Sequence, residues 1–225
     1  ASTVLGKYVG NTLILMMGVG ALAILFGVSS AWVVTRYDFA GRGWFEWMLL
    51  LPAAIPAYII AYTYTDFFEY AGPVQTALRG FFGWQSARDY WFPEIRSLGG
   101  ATLVMASVLY PYIYMVTRIA FRLTSASLFE IALVHNKSQF WTVGLPLARP
   151  AIMAGLALVL MEVVSDFGTV EYFAIETITL GIFNVWLGMN NIFAAAQISL
   201  VGFVFILSLL GLELYARSRQ KFANT

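Results

Sequence analysis

Cysteine is absent from the 225 residues, and histidine occurs once, at His135. Without thiols there is no disulfide framework, no thiolate metal site and no cysteine nucleophile. The only lysines are Lys7, Lys137 and Lys221, and none closes a G-x-x-x-x-G-K-[ST] phosphate loop. Charge is also scarce. Asp, Glu, Lys and Arg make up 11% of the chain, against about a quarter in an ordinary soluble domain. So few charges cannot cover a water-facing surface, and a net charge of +1 supplies no basic patch for nucleic acid. No nucleophile–base pair and no convergent metal-ligand set stands out, which ranks a membrane enzyme last among the function classes.

Apolar residues are abundant, at 60% of the sequence. Runs free of any charged residue occupy 8–35, 47–65, 97–117 and 177–212. A helix of ~20 apolar residues crosses the ~30 Å hydrocarbon core. A membrane β-barrel would instead alternate apolar and polar residues over ~10-residue segments. These runs are continuous, so the pattern predicts an all-α, polytopic transmembrane helical bundle. Five spans are expected, at 12–34, 47–65, 98–117, 150–165 and 193–212, the fourth including Glu162. The apolar stretch 178–189 is short and suits a re-entrant or interfacial helix. Pro52, Pro56 and Pro111 fall within spans, where each removes a backbone donor and bends its helix.

Orientation follows from Lys and Arg in the short connections. With the first span ending in the cytoplasm, the inner side holds Arg36, Arg42, Arg118, Arg122, Lys137, Arg149, Arg217, Arg219 and Lys221. The outer side holds Lys7, Arg79, Arg88 and Arg96, with most of the acids: Asp66, Glu69, Asp89, Glu94, Asp166, Glu171 and Glu176. Five spans leave the N-terminus outside, and the opening ASTVLGKYVG carries no cleavable signal. A further membrane helix upstream is therefore expected.

Two connections are long. The outer one, 66–96, is rich in Gly and aromatics. The inner one, 118–149, contains TSASLFEIALVHNKSQF, in which Ser125 or Ser127 is placed to cap a helix that Glu130 enters near its positive end. Such an element between two spans is either a contact surface for a soluble partner or a connector resting on headgroups.

Within the inner connection stand Glu130-Ile131-Ala132, then Asn136, then Val143-Gly144-Leu145-Pro146. This resembles the cytoplasmic loop of the permease subunits of bacterial ABC importers: EAA, three residues, Gly, then a hydrophobic residue, one residue and Leu-Pro. The segments TRYDFAGRGWFEWMLLLPAAIPAYIIAY (35–62), LYPYIYMVTRIAF (109–121) and MEVVSDFGTVEYF (161–173) are similar to the ferric-iron branch of that family. In that branch two halves are commonly fused into one polypeptide. The resemblance implies a MetI-like permease domain over 1–225, the N-terminal half of a longer chain, in the bacterial inner membrane. It implies a coupling helix within 121–149, seated in a cleft of an ATPase dimer that carries ATP and Mg and supplies the hydrolysis, with no cofactor on this chain itself and no enzyme activity of its own. The other implied partners are a second permease half, an external ferric-binding protein and membrane lipid. The coupling role falls on Glu130, Ala132, Asn136, Gly144, Leu145 and Pro146. Two departures stand out: Asn136 replaces the usual Gly, and the stretch from Glu130 to Pro146 is shorter than the family pattern. Other cargoes of related permeases, such as thiamine, a polyamine or phosphonate, stay open. So does a structural membrane subunit that no longer couples to ATP.

Glu162 and Asp166 share a helix face at i and i+4. Acids at membrane depth face a bundle interior or an aqueous path, and carboxylates are hard ligands suited to a ferric ion. Their bland reading is a hydrogen-bonding role at the outer interface. Tyr58 and Tyr62 share a face of the second span, as Tyr110 and Tyr114 do of the third. Phenolate is a ferric ligand, which makes Tyr58 and Tyr62 candidates for the translocation path beside Glu162 and Asp166; against it, interfacial belts and core packing explain most such tyrosines, and a transporter must release its ion. A lone His135 cannot hold a metal and reads as partner surface or solvated residue. Glu213 and Arg217 read as an i,i+4 interfacial pair.

Overall fold

The computed structural model describes residues 2–218, which form helices and turns with no strand among them. The first charge-free run becomes α1 (Ser2–Arg36), which ends at its only arginine. Gly41 then takes a left-handed turn (φ 85°) into α2 (Arg42–Met48), a short helix with exposed Trp44 and Trp47. Aromatic rings of this kind suit the headgroup level.

The second predicted span is not one straight helix. A 3-10 turn at Leu51–Ala54 is followed by α3 (Ala57–Phe68) and α4 (Pro73–Phe82). The stretches Arg42–Ala54 and Ala57–Phe82 are bent by 101°. The cause is local. Ile55 precedes Pro56 and is extended (φ −113°, ψ 128°), the conformation that a following proline ring enforces. Pro111, by contrast, lies inside a continuous α5 (Leu98–Leu123), which begins at a Ser97 cap accepting from the Gly100 amide at 3.1 Å.

The inner connection folds into α6 (Ala126–Val134). A π-helical turn, Phe140–Gly144, then runs straight into α7 (Leu145–Ser165), so the fourth span starts earlier than residue 150. Pro146 sits in the first turn of α7, where its missing N–H costs nothing. Beyond it come α8 (Gly168–Tyr172), α9 (Ile178–Phe183) with a π turn at Asn184–Gly188, and α10 (Ile192–Ser218).

By length and composition α1, α5 and the Phe140–Ser165 stretch can each cross a membrane, and the bent pair can serve as a fourth span. The fifth predicted span falls on α10, whose apolar part Ile192–Ser208 is shorter. The side chains of Glu213 and Arg217 lie outside the described residues. The stretch 178–189 is indeed two short helical pieces. It is fastened to the outer end of α1, where Lys7 pairs with Glu176 at 2.7 Å and the Ile178 amide donates to Thr12 Oγ1 at 3.1 Å.

The core lies where α1, α5 and α7 meet. Ile113 of α5 is fully buried, and a Cβ on Gly27 of α1 or Gly155 of α7 would stand 2.9 Å from its atoms. Lipid tails are as apolar as Leu, so burial alone drives no association here, and close approach through small residues does. Large apolar side chains such as Met17, Leu25, Ile119 and Phe203 point outward. Six ion pairs are formed among the described residues, and each joins two residues that the charge rule puts on the same side.

Candidate coupling and translocation sites

Helix α6 leaves the bundle between α5 and α7. Its inner face is Phe129 and Ala132, one turn apart and both buried. Phe129 enters an aromatic cluster around Trp32 of α1, whose ring lies 6.0 Å from Phe129, 5.3 Å from Phe121 and 5.1 Å from Phe140. Arg36 covers Phe129 at 4.8 Å and donates to Gln139 Oε1 at 2.8 Å; Gln139 in turn donates to the Phe129 carbonyl. Trp32 and Arg36 of α1 and Gln139 of the turn before α7 thus hold α6 from behind, while Phe121 of α5 backs the Trp32 ring. Its outer face carries Leu128, Glu130, Ile131 and Val134, all exposed, with Val134 at 84%. No ion pair or side-chain hydrogen bond engages the Glu130 carboxylate.

The two ends of α6 differ from the sequence pattern in instructive ways. At the start, Ser125 occupies the cap position, yet its hydroxyl meets Ser127 Oγ at 2.8 Å rather than a backbone amide. At the end, Asn136 is left-handed (φ 53°). The Lys137 amide donates to the Ala132 carbonyl (2.8 Å) and the Asn136 amide to Leu133 (2.9 Å), the paired bonds of a Schellman stop. Asparagine reaches this geometry more readily than other residues with a side chain, so the turn forms without the usual glycine. His135 Nδ1 lies 2.9 Å from the Ile131 carbonyl oxygen and takes no part in a metal-ligand cluster. Gly144 closes the π turn with its Cα against Trp32; a Cβ there would fall 2.6 Å from the indole. Leu145 and Pro146 follow as the opening residues of α7, half-buried.

A second feature fixes the inner end of the bundle. The Glu46 carboxylate of α2 receives Arg118 and, at 2.8 Å, Arg122 from α5, with Arg42 at 3.5 Å. The side chains of Glu46 and Arg118 are 19% and 20% exposed. Arg118 Nε is buried with no acceptor, so Glu46 is the sole anion neutralising that guanidinium.

The predicted path residues separate. Asp166 turns onto α8, accepting from the Thr169 amide (2.9 Å), the Val170 amide (3.2 Å) and Thr169 Oγ1 (3.1 Å). These bonds satisfy the open amides at that helix start. Glu162 is exposed on α7 and makes no side-chain bond. Tyr58 and Tyr62 of α3, however, line a notch of about 410 Å³ with Ile59, Gly168, Glu171 and Tyr172. Gly168 makes the contact possible, since a Cβ there would meet the Tyr58 Cβ at 3.1 Å. The rings of Tyr62 and Tyr172 stand 5.8 Å apart. Tyr110 and Tyr114 of α5 are inward-facing residues of the bundle.

Sequence reasoning missed Trp32, Phe129, Glu171 and Tyr172. The Phe129/Ala132 spacing of one turn signals a docked face, and Trp32 is the single tryptophan of α1. Nothing local ties Glu171 and Tyr172 to α3.

The family described as "Binding-protein-dependent transport system inner membrane component" matches residues 23–221. The chain belongs to that family. This permease is 26% identical over 220 residues to the Fe(3+)-transport system permease protein FbpB 2 of Haemophilus influenzae, covering 96% of the chain and 38% of that relative. It thus spans under two-fifths of that relative's length. It is also 26% identical over 165 residues to the molybdenum transport system permease protein ModB of Escherichia coli, covering 70% of the chain and 69% of the relative. Among solved structures, a bacterial ABC transporter involved in importing the acidic polysaccharide alginate superposes with a TM-score of 0.67 at 18% identity. That match covers 97% of the permease and 79% of the solved chain, and it establishes the shared helical fold.

Proposed function

We propose that this permease is one membrane half of an ATP-driven importer that moves ferric iron, delivered by an external binding protein, into the cytoplasm. The observation that carries the proposal is α6: a helix with an apolar, singly charged outer face, held from behind by α1 and the turn before α7, with α5 backing the same aromatic cluster. Such a helix fits a cleft on a soluble ATPase. Leu128, Ile131 and Val134 fill it, and Glu130 meets a cation there. Ala132 and Asn136 shape the helix end, and Gly144, Leu145 and Pro146 connect it rigidly to α7. ATP with Mg closes the ATPase dimer, α6 moves with it, and the clamp passes the motion to α1, α5 and α7. The device performs work because nucleotide binds the inward-open and outward-open packings with different affinity. A second half completes the passage, and the exposed Glu162 lies on the α7 face left for it.

Ferric iron is favoured over the other cargoes by the acid-weighted outer side and by the Fe(3+) relative. Asp89 illustrates that side, since the backbone amides of Ser86 and Gln85 hold its carboxyl below the ordinary carboxylate range and keep it ionised. The molybdenum relative, matched at equal identity, supports a second cargo reading, a metal oxyanion. Uptake of radiolabelled ferric iron by cells carrying the complete transporter, with and without its ATPase gene, tests both parts. Uptake is expected to vanish without the ATPase. Uptake that persists overturns the mechanism, and transport of oxyanion instead of iron overturns the cargo.

A further inference from the structure

We infer that the notch between α3 and α8 is a transit site for the ferric ion at the outer mouth of the passage, built from Tyr58, Tyr62, Tyr172 and Glu171. The inference rests on the ferric-iron reading and says which atoms meet the ion.

The notch lies at the outer side because α8 follows directly on the outer end of α7, and α3 climbs outward from the bend at Pro56. Every side-chain polar atom lining it is an oxygen: three phenols and one carboxylate, with no guanidinium or ammonium among the lining residues. The carboxylate and the phenol oxygens are hard donors of the kind a cation of high charge takes. Tyr58 and Tyr62 are one helical turn apart on α3, 54% and 59% exposed. Glu171 and Tyr172 face them from the last turn of α8.

Arg96 stands just outside the notch as a positioning residue. Its Nη2 lies 3.3 Å from the Tyr172 hydroxyl, its Nε donates to Glu69 at 2.6 Å, and its plane covers the Tyr172 ring at 5.0 Å. The tie to Glu69 limits where Tyr172 can point.

Two features make the site one of passage. Among the described residues no three His, Asp or Glu side chains converge, so the notch supplies a single carboxylate and lacks a resident-metal cage. Its volume of about 410 Å³ far exceeds the ~30 Å³ of one water, so an arriving ion keeps several waters. Each phenol that coordinates gives its proton to outside water as the oxygen–iron bond forms. Iron enters and leaves as Fe(III), with no electron transferred, and release returns a proton to each phenolate. Acid outside therefore weakens binding.

The test uses the complete transporter in lipid nanodiscs, titrated with ferric nitrilotriacetate, and reads the visible phenolate-to-iron charge-transfer absorption. The wild type is expected to develop the band, and a variant carrying Tyr58→Phe, Tyr62→Phe and Tyr172→Phe to lose it. In cells at limiting iron, that variant and Glu171→Gln are expected to slow ferric uptake at least about tenfold. Unchanged thermal melting and unchanged ATPase co-purification control for folding. A band that survives in the triple variant, or uptake at the wild-type rate in both variants, overturns the site. If wild-type cells import iron while either of those results holds, the cargo reading stands and only the site falls. If the wild type carries no ferric iron at all, the cargo reading falls and takes the site with it.

Discussion

Glu130→Lys is expected to abolish ATP-dependent uptake while leaving the permease folded. Glu130 is exposed on α6 and has no partner among the described residues, so reversing its charge removes no contact seen there. The proposed ATPase cleft, by contrast, would have to bury the new ammonium against its own cation. Disrupting a buried charge pair at an interface costs about 2–5 kcal/mol, which is roughly 30-fold to several thousand-fold in affinity. Co-purification of the ATPase should fall by that order, and uptake should fall to background. The melting temperature of the permease itself should not move. Normal co-purification and uptake by the variant would remove Glu130 from the interface.

The second large effect is on stability. Glu46→Ala leaves the Arg118 guanidinium, about four-fifths buried and already short of one acceptor, with no anion. Removing one partner of a buried pair costs about 3–5 kcal/mol. Arg122 adds little, because its side chain is 47% exposed and solvent screens it. The permease should melt on the order of 10 °C lower, with α2 released from α5. Replacing both partners, Glu46→Met with Arg118→Met, should recover most of the loss, since no charge is then stranded. Equal melting of wild type and Glu46→Ala would show that the pair contributes nothing to the inner end.

These two sites were legible to very different degrees. The existence and order of α1 and α5 could be read from the charge-free runs, whereas two of their ends could not: α1 begins at Ser2 and runs through Lys7, and α5 continues past 117 through Arg118 and Arg122 to Leu123. The 101° bend could not be placed. Pro52 and Pro56 were visible, but prolines occur in continuous membrane helices too, and Pro111 sits in one without breaking it. The early start of α7 was hidden for a related reason. Arg149 and Pro150 read as a boundary, whereas the helix runs through both. Helix α6 was legible from its motif, and the left-handed turn at Asn136 from its backbone preference. The aromatic seat behind it was not, because Trp32 and Phe129 lie in distant parts of the chain and only packing joins them. The same limit applied outside. The Tyr58/Tyr62 pair showed in the spacing, while Glu171 and Tyr172 entered the notch only through the turn that Asp166 caps. Asp166 and Glu162 share a period on paper. In the fold one satisfies backbone amides and the other faces outward.

The central claim is that α6 seats in an ATPase. The absence of cysteine from the 225 residues makes a direct measurement clean, because a single introduced thiol is then unique among them. Val134→Cys, at the exposed end of α6, should cross-link to a thiol placed in the ATPase cleft, and the yield should change with ATP. Trp91→Cys, exposed on the outer connection, should give no such product. Cross-linking from Val134→Cys alone is the predicted result; no cross-link from α6, or equal yields from both positions, would contradict it.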